Sequence, residues 1–280
     1  MPNPMPPTTP CSLPTAAGVV RSVGLSQPLQ WLRLGWVDMV RCGWVSYLHG
    51  LAMAGFGAMT LWLASDRFGL LLGAFSGFLL VAPILATGLY ALSRALERGE
   101  TADHKVVLRT WLNWQGGRMA KWSQGHWYLL QFGLLLAGAG TAWVLLSAAL
   151  MLWLAPVAVN TPMVFVEQVL LAKEGFLLET WLAAGGALAA PIFASTVVTV
   201  PLLLDRAVSI RLAVGTSWQV ILQNPVPMAL WSTLILGLTV CGFALALTGL
   251  VLIVPWLGHA SWHAYRDLVD ASALPQREWR

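Results

Sequence analysis

Charge is what this chain has least of. Asp, Glu, Lys and Arg together make up 10% of its 280 residues, against roughly 25% in an ordinary soluble domain. Apolar residues reach 58% and mean hydropathy is +0.70. A chain with so little charge cannot clothe a water-facing surface, and this is membrane composition. Cysteine is scarce as well. Cys11, Cys42 and Cys241 stand too far apart for a metal or redox motif and read as isolated reduced thiols. Tyrosine, at 4 residues, is rare beside 16 tryptophans, a balance that fits repeated anchoring at a bilayer interface. Residues 1–29 lack the basic start and unbroken apolar core of a signal peptide. Rich in Pro, Thr and Ser, they read as a disordered cytoplasmic tail. Also missing are His-Glu-x-x-His, a haem-attachment Cys-x-x-Cys-His, a phosphate-binding glycine loop and a Gly-x-Ser-x-Gly elbow. The chain leans away from an enzyme, and no catalytic residue is assigned. The pI near 9.3 does not imply nucleic acid, because the bases sit in the connections between apolar runs.

What is present is a set of long apolar runs. About twenty apolar residues cross the ~30 Å hydrocarbon layer, and this predicts spans at about 43–64, 69–93, 128–154, 181–204, 227–247 and 250–266. The last two come from one uncharged stretch, Pro227 to Tyr265. As a single helix it would extend about 60 Å, roughly twice the bilayer core, so a fold-back near Leu247-Thr248-Gly249 is expected. Gln30 to Arg41, the basic stretch after Arg94 with Trp111, Trp114 and Trp122, and Asp205 to Asn224 read as amphipathic helices at the membrane surface. Six spans with both termini in the cytoplasm leave only Arg67 and Lys173 of the 16 basic residues on the far side, as the positive-inside rule requires. The fold class is therefore all-α: a polytopic membrane helix bundle of six transmembrane helices arranged as three helical hairpins. Its membrane domain covers 30–270 and a cytoplasmic tail covers 271–280.

The hairpins show an internal repeat. Pro255 leads to Arg266 and Pro83 to Arg94, each over eleven residues, close to three helical turns, so proline and exit arginine share a face. Trp36 stands five residues before Arg41 and Trp218 five before Gln223, each just ahead of a hairpin. The middle unit, to Arg206, is degenerate, with Pro191 and Pro201 off that spacing. Pro83, Pro191 and Pro255 are expected helix kinks. Each frees the carbonyl four residues earlier, which must find a partner in a protein-packed or water-lined place. Gly69, Gly73 and Gly77 predict close packing against the Gly50, Ala54, Ala58 stripe.

The only ionisable side chains inside the expected spans are His49, His259 and His263. Pumps generally place a carboxylate or base there, which counts against a coupled transporter. His259 and His263, one turn apart, have the spacing of a metal or haem ligand pair. They are equally placed to hydrogen-bond headgroups or nearby carbonyls. Arg94, Arg206 and Arg266 are candidates for holding a lipid phosphate or for fixing helix exits. Asp267 is an expected surface partner of Arg266.

The run Val200-Pro201-Leu202-Leu203-Leu204-Asp205-Arg206, then Gln223-Asn224-Pro225 with Met228 and Trp231, then Gly258 to Leu268, resembles the bacterial integral-membrane family catalogued as domain of unknown function 2189. Gly77-Phe78, Ala82-Pro83 and Gly88-Leu89-Tyr90 to Arg94 are similar to it too. The resemblance covers roughly 35–269 and implies an inner-membrane location and fold, with no activity, cofactor or catalytic residue to carry over. The expected function is a non-catalytic bundle that binds lipid or assists assembly of a membrane complex, with membrane lipids, other membrane proteins or a second copy as partners. A passive transporter and a metal or haem protein using His259 and His263 are the alternatives.

Overall fold

The computed structural model describes residues 20–64, 85–113, 124–157, 164, 167, 169, 171 and 176–277. Apart from two isolated bridges, Val20 to Val269 and Arg206 to Gln276, its regular structure there is helical. In chain order the helices are α1 (Gln27–Cys42), α2 (Trp44–Ala64), α3 (residues 85–97), α4 (His104–Asn113), α5 (Gln124–Leu154), α6 (Leu177–Thr196), α7 (Thr199–Asp205), α8 (Ile210–Gln223), α9 (Pro225–Ala244) and α10 (Leu250–Leu268). Among the described residues three stretches are long and apolar enough to cross a membrane: Gly133–Leu154, Leu177–Asp205 and Pro225–Ala244. They correspond to the third, fourth and fifth expected spans. The second, with Pro83 and the glycines at 69, 73 and 77, lies outside the described residues up to position 84.

Local signals set the helix ends. Proline occupies the first turn of α1 and of α9, where its missing N–H costs nothing. The Ser209 hydroxyl caps α8 by accepting from the Leu212 amide. Between α9 and α10 the chain turns through Ala246 and Leu247, both at positive φ, where the fold-back is expected. The turn closes because Gly249 lies directly against Gly242: a Cβ at position 249 would stand 2.9 Å from the Gly242 Cα.

α10 is the centre of the packing. It lies chiefly on α1 and α2, with α9 and α7 beside it. Gly35 of α1 faces the Ala260 backbone so closely that a Cβ there would sit 2.5 Å from its nitrogen. Gly50 of α2 faces the Val251 carbonyl, the group that Pro255 frees inside α10. The described partner of the Gly50 stripe is thus α10. Pro191 lies inside α6 as Pro255 lies inside α10, and both helices run on past their proline. α5 packs on α6 through Trp143 against Trp181 (ring centroids 5.3 Å apart) and a 2.7 Å bond from Trp181 Nε1 to Ser147 Oγ, and α6 in turn packs on α8.

The tryptophans divide. Trp44, Trp62 and Trp153 face outward, as interface anchors should, but Trp31, Trp231 and Trp262 are buried in the core. Trp31 meets Trp231 edge-on at 5.5 Å. The described segments before α1 and after α10 are also held. Within the stretch expected to be a free tail, the Arg21 amide donates to Leu268 O (2.8 Å), the Val23 amide to Asn224 Oδ1 (2.8 Å), and Arg21 pairs with Asp270 at 2.8 Å. Beyond α10, the Ala207 amide reaches Pro275 O and the Arg277 amide reaches Asp205 O. Residues 1–19 and 278–280 lie outside the described residues.

Candidate functional site

Because a helix repeats every 3.6 residues, α10 turns His259, Trp262, His263 and Arg266 toward α1, α2 and α3. Two polar layers result. In the inner one His259 is fully buried and uses both ring nitrogens. Ser46 Oγ of α2 lies 2.8 Å from its Nε2, and Ser93 Oγ of α3 lies 2.7 Å from its Nδ1. One turn on, His263 Nε2 donates to Asp38 Oδ2 of α1 at 2.8 Å. Burial alone would raise the Asp38 carboxyl, yet the hydrogen bonds from His263 and Ser93 and the His263 charge hold it below its ordinary value. His49 Nδ1 donates to the Val45 carbonyl at 2.8 Å, and the ring stands edge-on to Trp111.

The outer layer is built on Asp205, the last residue of α7, whose side chain is 4% exposed. Arg94 Nε lies 3.0 Å from its Oδ1. Arg206 Nε (2.9 Å) and the Tyr265 hydroxyl (2.9 Å) donate to its Oδ2. Arg98 and Arg266 approach to 3.9 Å. Arg266 is chiefly engaged by Glu97 of α3, through NH2 at 2.7 Å and Nε at 2.9 Å, and the Trp262 indole donates to the same carboxylate. The spare nitrogens of the buried pair cap backbone: Arg206 NH1 donates to Leu274 O and Arg94 NH2 to Arg277 O. Burial, and then the positive charge of Arg98, draw the Arg94 guanidinium below its usual range.

Among the expected site residues, Arg94, Arg206 and Arg266 come together, and the group that joins them is a carboxylate. His259 and His263 share a face but have different partners. Among the described residues no three His, Cys, Asp or Glu side chains gather as metal ligands. A metal ion at His259 would have to displace a serine. The expected Arg266–Asp267 pair is not the one formed. Asp267 Oδ2 accepts from Trp31 Nε1 at 2.7 Å instead, because it lies on the α1-facing side of α10. Sequence reading missed Ser46, Ser93, Asp38 and Tyr265 as partners, and it gave Asp205 and Glu97 no part in holding the arginines. The available signal was that each acid stands next to, or within three residues of, an exit arginine.

Residues 70–205 match the model of a family described as predicted integral membrane protein (DUF2189). The match ends at Asp205, so the Gly258–Leu268 motif falls outside it. No curated protein and no solved structure matches the chain.

Proposed function

Proceeding from the match of residues 70–205 to the DUF2189 family of predicted integral membrane proteins, we propose that this is a non-catalytic inner-membrane bundle of six spans. Its role is to bind lipid and support assembly of a membrane complex. The observation that carries this reading is the meeting of Arg94, Arg206 and Arg266 around Asp205. Each arginine marks the end of an expected hairpin. If three points along a chain lie together at one face, the chain between consecutive points crosses the bilayer an even number of times. The stretch from 94 to 206 holds α5 and α6, and that from 206 to 266 holds α9 and α10. α2 and the expected span at 69–93 complete the scheme as a threefold repeat.

The same observation favours a structural over a chemical role. Asp205, Arg94, Arg206 and His259 each spend their polar atoms joining separate elements. Outward, Leu152, Trp153 and Leu236 offer an apolar surface to lipid. The test is purification from native membranes in a mild detergent, with phospholipid measured per chain after exhaustive washing. Retained phospholipid is the expected result. A folded, monodisperse and lipid-free chain removes the reading.

A further inference from the structure

The outer polar layer has more positive than negative charge. Linked by guanidinium–carboxylate contacts of 4 Å or less are Arg94, Arg98, Arg206 and Arg266 on one side and Asp205 and Glu97 on the other. Arg94 and Arg206 are buried, and Asp205 is committed to them. The exposed cations of the layer are Arg98 and Arg266, whose side chains are 38% and 35% exposed. Arg266 turns two nitrogens to Glu97. Arg98 makes no carboxylate contact closer than 3.9 Å among the described residues, so its planar fork of donors is open on one side. Such a fork matches the paired oxygens of a phosphate ester.

We propose that Arg98, with Arg266 beside it, holds the phosphate of an anionic phospholipid headgroup at the cytoplasmic end of the bundle. This rests on the lipid-binding reading and narrows it to one headgroup chemistry and one place. The lipid source is favoured by α4, which follows Arg98 directly. It exposes Leu108 and Leu112 beside Lys105 and Arg109, a face suited to lying at headgroup depth. A free phosphate ester has the same chemistry, so the experiment separates the two sources.

The full chain is purified in detergent, stripped of lipid, and offered phosphatidylglycerol, phosphatidylcholine or inorganic phosphate. Bound lipid is counted by native mass spectrometry and stabilisation by melting temperature. Phosphatidylglycerol should be retained over phosphatidylcholine. Arg98→Ala should lower that retention about tenfold, and Arg98→Lys should restore part of it. Glu97→Gln should raise retention, because it frees Arg266; a purely structural role for these side chains would not move binding in that direction. Stabilisation by inorganic phosphate as large as by phosphatidylglycerol, lost in Arg98→Ala, supports the phosphate site with a soluble ester as its occupant and overturns the lipid assignment. Equal retention of both lipids, or retention unchanged in Arg98→Ala, overturns the site. If phospholipid still co-purifies in that case, the broader reading stands without it.

Discussion

At the scale of single residues, Asp205 decides most. One carboxylate receives two buried guanidiniums and a buried phenol hydroxyl, so removing its charge leaves cations with no counter-ion in a place water does not reach. Asp205→Asn is expected to cost about 3–5 kcal/mol and to lower the melting temperature of the detergent-solubilised protein by on the order of 10 °C. Glu97→Gln breaks a pair whose side chains are 35% and 41% exposed, and its expected cost is only about 0–1 kcal/mol. Equal losses in the two variants would contradict the central place given to Asp205. Asp38 adds a pH dependence. Its folded carboxyl titrates below the ordinary value of 3.8, so the unfolded chain takes up that proton first as pH falls. The stability from the Asp38–His263 bond is therefore present above about pH 4 and is lost as pH drops through the lower, folded value. Melting curves from pH 6 to 3 should fall less steeply for Asp38→Asn than for the parent chain.

Among the helices, close approach is what separates permissible from forbidden change. Gly35 and Gly50 each face the backbone of α10, and a Cβ at either would meet atoms that cannot rotate away. Among the described residues, nothing lies within 4 Å of such a Cβ at Gly55, on the same helix as Gly50. Gly35→Ala should therefore destabilise by about 1–3 kcal/mol, whereas Gly55→Ala should be neutral or stabilising by up to about 1 kcal/mol. Thermal unfolding of the two variants side by side checks this, and the reverse order would show that α10 is not seated on α1. These glycines also mark how far sequence alone reaches. The Gly50, Ala54, Ala58 stripe announces that a backbone comes close, because small residues at helical spacing have few other uses in lipid. It cannot say which backbone, since any apolar helix satisfies the same pattern. The fold-back at 247–249 was legible for a firmer reason: the hydrophobic thickness of a bilayer bounds the length of a span. The partners of His259 were not legible, because serines at 46 and 93 look like any small residue of a transmembrane helix. Their role depends on two helices meeting a third at matching depth.

For the whole molecule, the ends of the chain bear on what the count of apolar runs leaves open. The Arg21 amide bonds to Leu268 O, Asn224 Nδ2 donates to Arg21 O at 3.0 Å, and Arg94 NH2 reaches Arg277 O. The stretch entering α1, the start of α9, the end of α10 and the C-terminal segment are thus neighbours at one face. An odd number of membrane crossings between any two of those points would hold them apart. Arg21, Arg94, Arg98, Arg206 and Arg266 all lie at that face, and the proposed topology, by the positive-inside rule, puts it in the cytoplasm. A reporter active only in the periplasm should be silent when fused after Arg280 and active when inserted at Thr248, in the turn between α9 and α10. A reporter active only in the cytoplasm should give the opposite pair of results. Periplasmic signal after Arg280 would separate the two ends of the chain, and with them the even crossing count on which the three hairpins depend. Signal from the same compartment at both positions would instead leave the ends together but deny that α9 and α10 cross at all.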